Sequence, residues 1–175
     1  FCTMISLVSS LVPIATFIYY PLKKIFVYAF KNFGAFSIDL KTNNSTKLLI
    51  KPSNTLKILG SGGSKGIPDN YRESILNNLK NNTERLFIGS AGIETIMLAK
   101  NEIQFVFHGR VTPWDHSPMD LIIKEAGGCV YMAINKGEFN IKSNGSILAA
   151  SNFQIWNNIR DLIIPSNNPY RKYIN

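Results

Sequence analysis

The chain has 175 residues, 45% hydrophobic, 11% aromatic and 17% charged, which excludes intrinsic disorder, collagen, coiled coil and a multi-span membrane protein. Two cysteines, Cys2 and Cys129, cannot make a disulfide framework. The net charge of +8 comes from scattered basic residues, mainly lysine, with no run longer than Lys23–Lys24, so a nucleic-acid partner is not expected. What remains is one globular domain over residues 1–175, expected in the cytoplasm.

Residues 1–22 carry no charged side chain and raise the question of a membrane helix. Ser6, Ser9, Ser10, Pro13 and Thr16 interrupt the run, and β-branched residues are frequent, so the segment reads as buried strands and no membrane association is expected. Met4–Ser9, Ile14–Tyr20 and Lys24–Phe30 form an antiparallel set, with Pro13 suited to a turn between strands. Lys31–Phe36 reads as the turn closing this meander, and Leu48–Lys51 and Thr55–Leu59 as further strand segments. A Gly/Ser loop, Gly60–Gly66, precedes a helix opened by Pro68 and striped by Tyr71, Ile75, Leu76 and Leu79. Phe87–Ile88 lead to a small-residue turn, Gly89-Ser90-Ala91, and then to a helix carrying Ile93, Ile96 and Met97. Gln104–His108 alternates as a strand, Asp115–Ala126 reads as a helix stopped by Gly127-Gly128, Cys129–Ile134 and Ser146–Ala150 as strands, and Gln154–Ile164 as a closing helix. Strands and helices intermix, which makes the class α/β or layered α+β.

Gly62-Gly63-Ser64-Lys65-Gly66 satisfies the nucleophile-elbow pattern G-x-S-x-G. The elbow needs a helix directly after the serine, whereas Gly66 and Pro68 delay it here, and His116 lies far from the chain's end. A Walker loop fails because Gly66 follows Lys65. The segment reads as a flexible connection, with a serine hydrolase on Ser64 as a distant possibility.

Pro113-Trp114-Asp115-His116-Ser117-Pro118-Met119-Asp120 runs into Leu121–Gly128. Asp115 stands where an N-cap belongs, with Pro118 tolerated in the first turn. The field at a helix N-terminus keeps a carboxylate ionised and suits an anion beside a cation. On spacing alone Asp115 reads first as a cap and only second as a metal ligand, because a hard cation needs several oxygens.

Trp114-Asp115 followed by Glu125-Ala126-Gly127-Gly128 closely resembles the C-terminal signature of the inositol monophosphatase family, within the Mg²⁺-dependent, lithium-sensitive phosphatases. Gly89-Ser90-Ala91, Gly34-Ala35-Phe36 and Ile147–Ala150 with Ser151-Asn152 resemble further family segments in the same order. The resemblance implies an αβαβα sandwich lacking its N-terminal part, since the family's Asp-Pro-x-Asp-Gly-Thr motif has no equivalent here and the chain starts at Phe1. It implies hydrolysis of a small phosphorylated alcohol by clustered Mg²⁺ ions, which activate a water and neutralise the departing oxygen.

By the same resemblance Asp115 would ligate Mg²⁺, and Gly89, Ser90 and Ala91 would line the substrate pocket. His108, seven residues before Asp115, takes the place of a Glu that binds substrate hydroxyls in inositol-handling members, which leaves the inositol-phosphate, nucleotide-bisphosphate and histidinol-phosphate branches open. His116 reads as a surface or supporting residue, Glu125 as packing or a cap, and Asp120 and Glu94 as solvated helix faces. With one metal carboxylate the chain alone should be nearly inactive, so a non-catalytic remnant or interaction module of the same fold is the alternative. A homodimer is expected of the complete domain.

Overall fold

The computed structural model describes residues 1–51, 58–63, 65–67 and 69–164. Its first third is an antiparallel meander, β1 (Thr3–Ser9), β2 (Val12–Tyr20), β3 (Ile25–Phe30), β4 (Gly34–Asp39) and β5 (Asn44–Leu48), paired in chain order. Alternation decides the two faces. Ile18, Val27, Ala29 and Ala35 point inward and are fully buried, while Phe17, Phe26, Tyr28 and Phe36 stack on the opposite face with ring centroids 5.4–6.0 Å apart.

The second sheet has the order β7-β6-β8-β10-β9, from β6 (Leu59–Gly63), β7 (Glu84–Leu86), β8 (Phe105–His108), β9 (Cys129–Met132) and β10 (Ile147–Ala150). β6 runs parallel to β7 and β8, and β10 antiparallel to β8 and β9. Helices α2 (Ala91–Ala99) and α3 (Pro113–Glu125) fill the space between the sheets, and α1 (Asp69–Asn82) and α4 (Phe153–Ile163) cover the far face of the second. Ile96, Leu98, Met119, Ile122 and Ile123 join the first sheet to Val106, Ile147 and Ala149 in one core. Trp156 anchors the other, donating Nε1–H to the Leu148 carbonyl at 2.8 Å. The layers are therefore sheet, helix, sheet, helix. Among the described residues, the extensive helix packing on the first sheet comes from α3 on its inner face.

Several expectations change. Pro13 lies within β2, opposite Val8, where the register shifts between Leu7 and Val8. A bulge tolerates the missing N–H, and the actual turn is Ser10-Leu11, both at positive φ. Gly34-Ala35-Phe36 opens β4 rather than closing the meander, with the turn made by left-handed Asn32. β5 precedes the expected Leu48–Lys51 strand because an exposed edge strand, Asn44-Ser45-Thr46-Lys47, carries no apolar alternation. The supposed loop at Gly60 is largely strand: Leu59–Gly63 sits between β7 and β8, and a Cβ on Gly60 would lie 2.2 Å from the Phe105 ring. Glycine there permits close strand packing. Ser64, Pro68 and most of the Thr55–Leu59 segment lie outside the described residues. No helix among the described residues is long and apolar enough to cross a membrane.

Candidate functional site

α2 begins hard against the start of β1. A Cβ on Gly92 would lie 2.4 Å from Cys2 Sγ and 2.7 Å from Met4 Sδ, so glycine at this position lets α2 pack against β1. Gly89 adopts φ +68°, and Ser90 is an extended N-cap whose side chain makes no capping bond, its Oγ lying 3.6 Å from Cys2 Sγ. α3 starts two residues earlier than the sequence indicated. Its N-cap is Thr112, with Pro113 at N1, and Asp115 sits inside the first turn, accepting from Thr112 Oγ1 at 2.8 Å. Pro at N1 leaves no amide to lose, which favours this earlier start. Pro118 falls inside the helix, beyond its first turn. Its missing N–H leaves the Trp114 carbonyl without an i+4 donor, at a residue 70% exposed to water.

These elements enclose a cavity of about 760 Å³ between the beginning of β1, the C-terminal ends of β6 and β8, and the first turns of α2 and α3. Gly89, Ser90, Ala91, His108 and Asp115 all line it, although they come from three separate stretches of the chain.

Three further residues tie this wall together. Glu94 Oε1 accepts from Ser61 Oγ at 2.5 Å and Oε2 from His108 Nε2 at 2.7 Å. His108 Nδ1 meets His116 Nε2 at 2.8 Å, and His116 Nδ1 lies 2.9 Å from the Thr112 amide nitrogen and 2.8 Å from its carbonyl oxygen. Burial, reinforced by the neighbouring His108, pushes His116 down to about 4, so this ring is neutral at pH 7. His108 Nε2–H donates to Glu94, and the tautomers set the direction between the two rings and between His116 Nδ1 and the Thr112 backbone. Burial alone would raise the Glu94 carboxyl, but its hydrogen bonds from His108, Ser61 and Gly89 hold it below the ordinary value.

Glu94 and His116 are thus buried and engaged, not solvated or at the surface. The single charge in the otherwise apolar or small-residue helix Ala91–Ala99 was the signal for Glu94. His108 lines the cavity with both ring nitrogens already used. Asp120 is buried as well, pushed up to about 6 by burial against the pull of Lys124, whose Nζ is 2.8 Å away. Glu125 plays its expected capping part, accepting from the Asn32 and Gly34 amides at 2.7 and 2.8 Å and so fixing the β3–β4 turn.

Mg²⁺ sheds its water reluctantly and needs several well-placed oxygens. Both Glu94 oxygens are taken, His116 is turned into the network, and one Asp115 oxygen holds the Thr112 hydroxyl. No group of three or more His, Cys, Asp or Glu among the described residues is arranged to hold a metal ion. These residues by themselves do not make a resident Mg²⁺ site.

The model of the inositol monophosphatase family matches residues 1–168. Among solved structures, the suhB extragenic suppressor protein of Bartonella henselae aligns at 20% identity over 94% of this chain and 63% of its own, with a TM-score of 0.81. Inositol monophosphatase II of Staphylococcus aureus aligns at 18% identity over 98% and 63%, with a TM-score of 0.79. The inositol monophosphatase of Anabaena (Nostoc) aligns at 24% over 93% and 65%, with a TM-score of 0.76. These likenesses establish the fold, and the chain spans less than two thirds of each of these proteins. No curated protein matches it.

Proposed function

The chain belongs to the inositol monophosphatase family, and from that premise we propose that its cavity serves Mg²⁺-dependent hydrolysis of a small phosphorylated alcohol in the cytoplasm. The observation that carries this reading is the convergence of Gly89, Ser90, Ala91, His108 and Asp115 on one cavity wall. Asp115 would supply one oxygen to the metal, and the first turn of α2 would face the phosphate with its unpaired amides. The small residues of that turn let a sugar-sized group approach the backbone. His108 shapes the alcohol side, but through its ring and not as an open acceptor, because Glu94 and His116 hold both its nitrogens. That favours an alcohol portion other than one recognised by a free carboxylate at this position.

With Asp115 as the one carboxylate in the cavity that keeps an oxygen outside the internal bonds, this polypeptide alone should turn over little or no substrate. The same observation favours a second reading, a non-catalytic binding module of the same fold. Association as a homodimer belongs to the proposal for the complete domain. The test is phosphate release by the native protein from its source cells, with its intact mass measured alongside. Inositol phosphate, a nucleotide bisphosphate and histidinol phosphate are assayed with Mg²⁺ and with added Li⁺. The reading expects Li⁺-sensitive release from one of the three, lost in Asp115→Asn. Release from none of them leaves the binding module.

A further inference from the structure

Four strands form the edges of the two sheets, and three of them are protected. β7 is three residues long and carries Glu84 and Arg85, and β5 is a short polar strand bearing Lys47. β9 has four residues and is folded over by its own turn, where Met132 N–H donates to the Gly137 carbonyl at 2.8 Å. Short length, charge and cover are what keep an edge from adding a further strand. β1 has none of these: it runs seven residues, Thr3–Ser9, with no charged residue and no proline. Its ladder is made with β2, and no other described residue bonds to the backbone of Thr3–Val8. The strand also exposes an apolar row, with Ile5 64% and Leu7 58% accessible, on the face that carries Phe17 and Tyr28. Beyond Leu7 the edge is irregular, because the register shifts between Leu7 and Val8 and Ile141 N–H donates to the Leu11 carbonyl at 3.0 Å. Thr3–Leu7 is therefore the regular, open stretch.

We propose that β1 pairs antiparallel with β1 of a second copy of this chain, joining two five-stranded sheets into one across a two-fold axis. The strand's own pattern selects a second copy. With the axis at Ile5, Ile5 meets its counterpart and Thr3 meets Leu7, so outer residues oppose outer ones, and Met4 opposes Ser6 on the inner face. The exposed aliphatic row is thereby matched to itself, and directly opposed side chains of this kind stabilise a strand pair. Residues 1–22 carry no charged side chain, so the strand brings no like charges together even though the chain is +8. Pairing satisfies the open amides and carbonyls of the edge and takes Ile5 and Leu7 out of water. The contact closes on itself, so association stops at two chains. The proposal rests neither on hydrolysis nor on metal binding.

The test is sedimentation equilibrium of the purified chain at micromolar concentration. A species of twice the 19.6 kDa chain mass is expected. Ile5→Lys sets two ammonium groups opposite one another at the axis and should give a monomer, and Ile5→Glu should do the same with two carboxylates. Mixing the two variants should restore a dimer, because opposite charges then face each other, and misfolded chains would not recover in this way. Phe153→Lys, which charges an exposed apolar residue on α4, should leave the dimer intact. A wild-type monomer overturns the proposal and leaves the edge to a strand of another sequence. A dimer that survives Ile5→Lys overturns it, as do the two charged variants if they stay monomeric when mixed. Species larger than a dimer also contradict it, since they would mean open-ended association through the aromatic face.

Discussion

Two walls of one cavity use their polar groups in opposite ways. On the α2–β8 wall, Ser61, Glu94, His108 and His116 satisfy one another and are largely buried. On the first turn of α3, Asp115 keeps capacity for a ligand. The difference separates groups that hold the site's shape from groups that meet what enters it. A buried polar group stripped of its partner is costly, so the first wall should report on stability and the second on binding.

The largest effect expected is from Glu94→Ala, which leaves His108 Nε2–H and the Ser61 hydroxyl without their shared acceptor. A loss of about 3 kcal/mol is expected, a fall in Tm on the order of 10 °C by thermal unfolding. Glu94→Gln, which keeps an acceptor for His108, should lose clearly less. If Glu94→Ala melts with the wild type, the network does not hold the wall.

The next test uses pH. His116 is held at about 4 against an ordinary 6.5, so its contribution to stability is complete above pH 6.5 and is lost as pH falls toward 4. Asp120, raised from 3.8 to about 6, has the opposite sign: its contribution is present at low pH and is lost as pH rises through 6. The two trends offset each other in the wild type. Removing the first with His116→Gln should leave a protein that loses stability as pH rises from 4.5 to 6, measured by denaturant midpoints across that window. A variant that parallels the wild type across this window contradicts the buried, neutral assignment of His116.

Asp115→Asn should change stability by less than about 0.5 kcal/mol, since the Thr112 hydroxyl keeps an acceptor, yet it should remove whatever divalent-ion affinity the chain has. A destabilisation comparable to that of Glu94→Ala would erase the distinction between the walls. Smallest of all, Ser64→Ala should leave any background esterase activity unchanged, which disposes of the nucleophile-elbow pattern.

The sequence made the layered α/β class legible because long apolar stretches mark strands and helices independently of their neighbours. The position of Asp115 near the start of α3, though inside its first turn and not at the N-cap, the Glu125 cap and the Gly89-Ser90-Ala91 turn were legible through motif and local geometry. Glu94 and Asp120 were misread as solvated, and of the two readings of His116 the supporting one holds, because a charged residue on a helix is ordinarily outside and only the sandwiching of α2 and α3 between two sheets turns those faces inward. The glycine strand at Leu59–Gly63 hid for a related reason: glycine is a turn signal locally, and its need here comes from the Phe105 ring on the neighbouring strand.

Among the described residues, the cavity offers a divalent metal only one open carboxylate, that of Asp115. Calorimetric titration of the purified chain with Mg²⁺ at neutral pH tests it most directly. Binding no tighter than millimolar, abolished in Asp115→Asn, is expected. Micromolar binding that survives Asp115→Asn would mean that other residues of this chain build a metal site, and would contradict it.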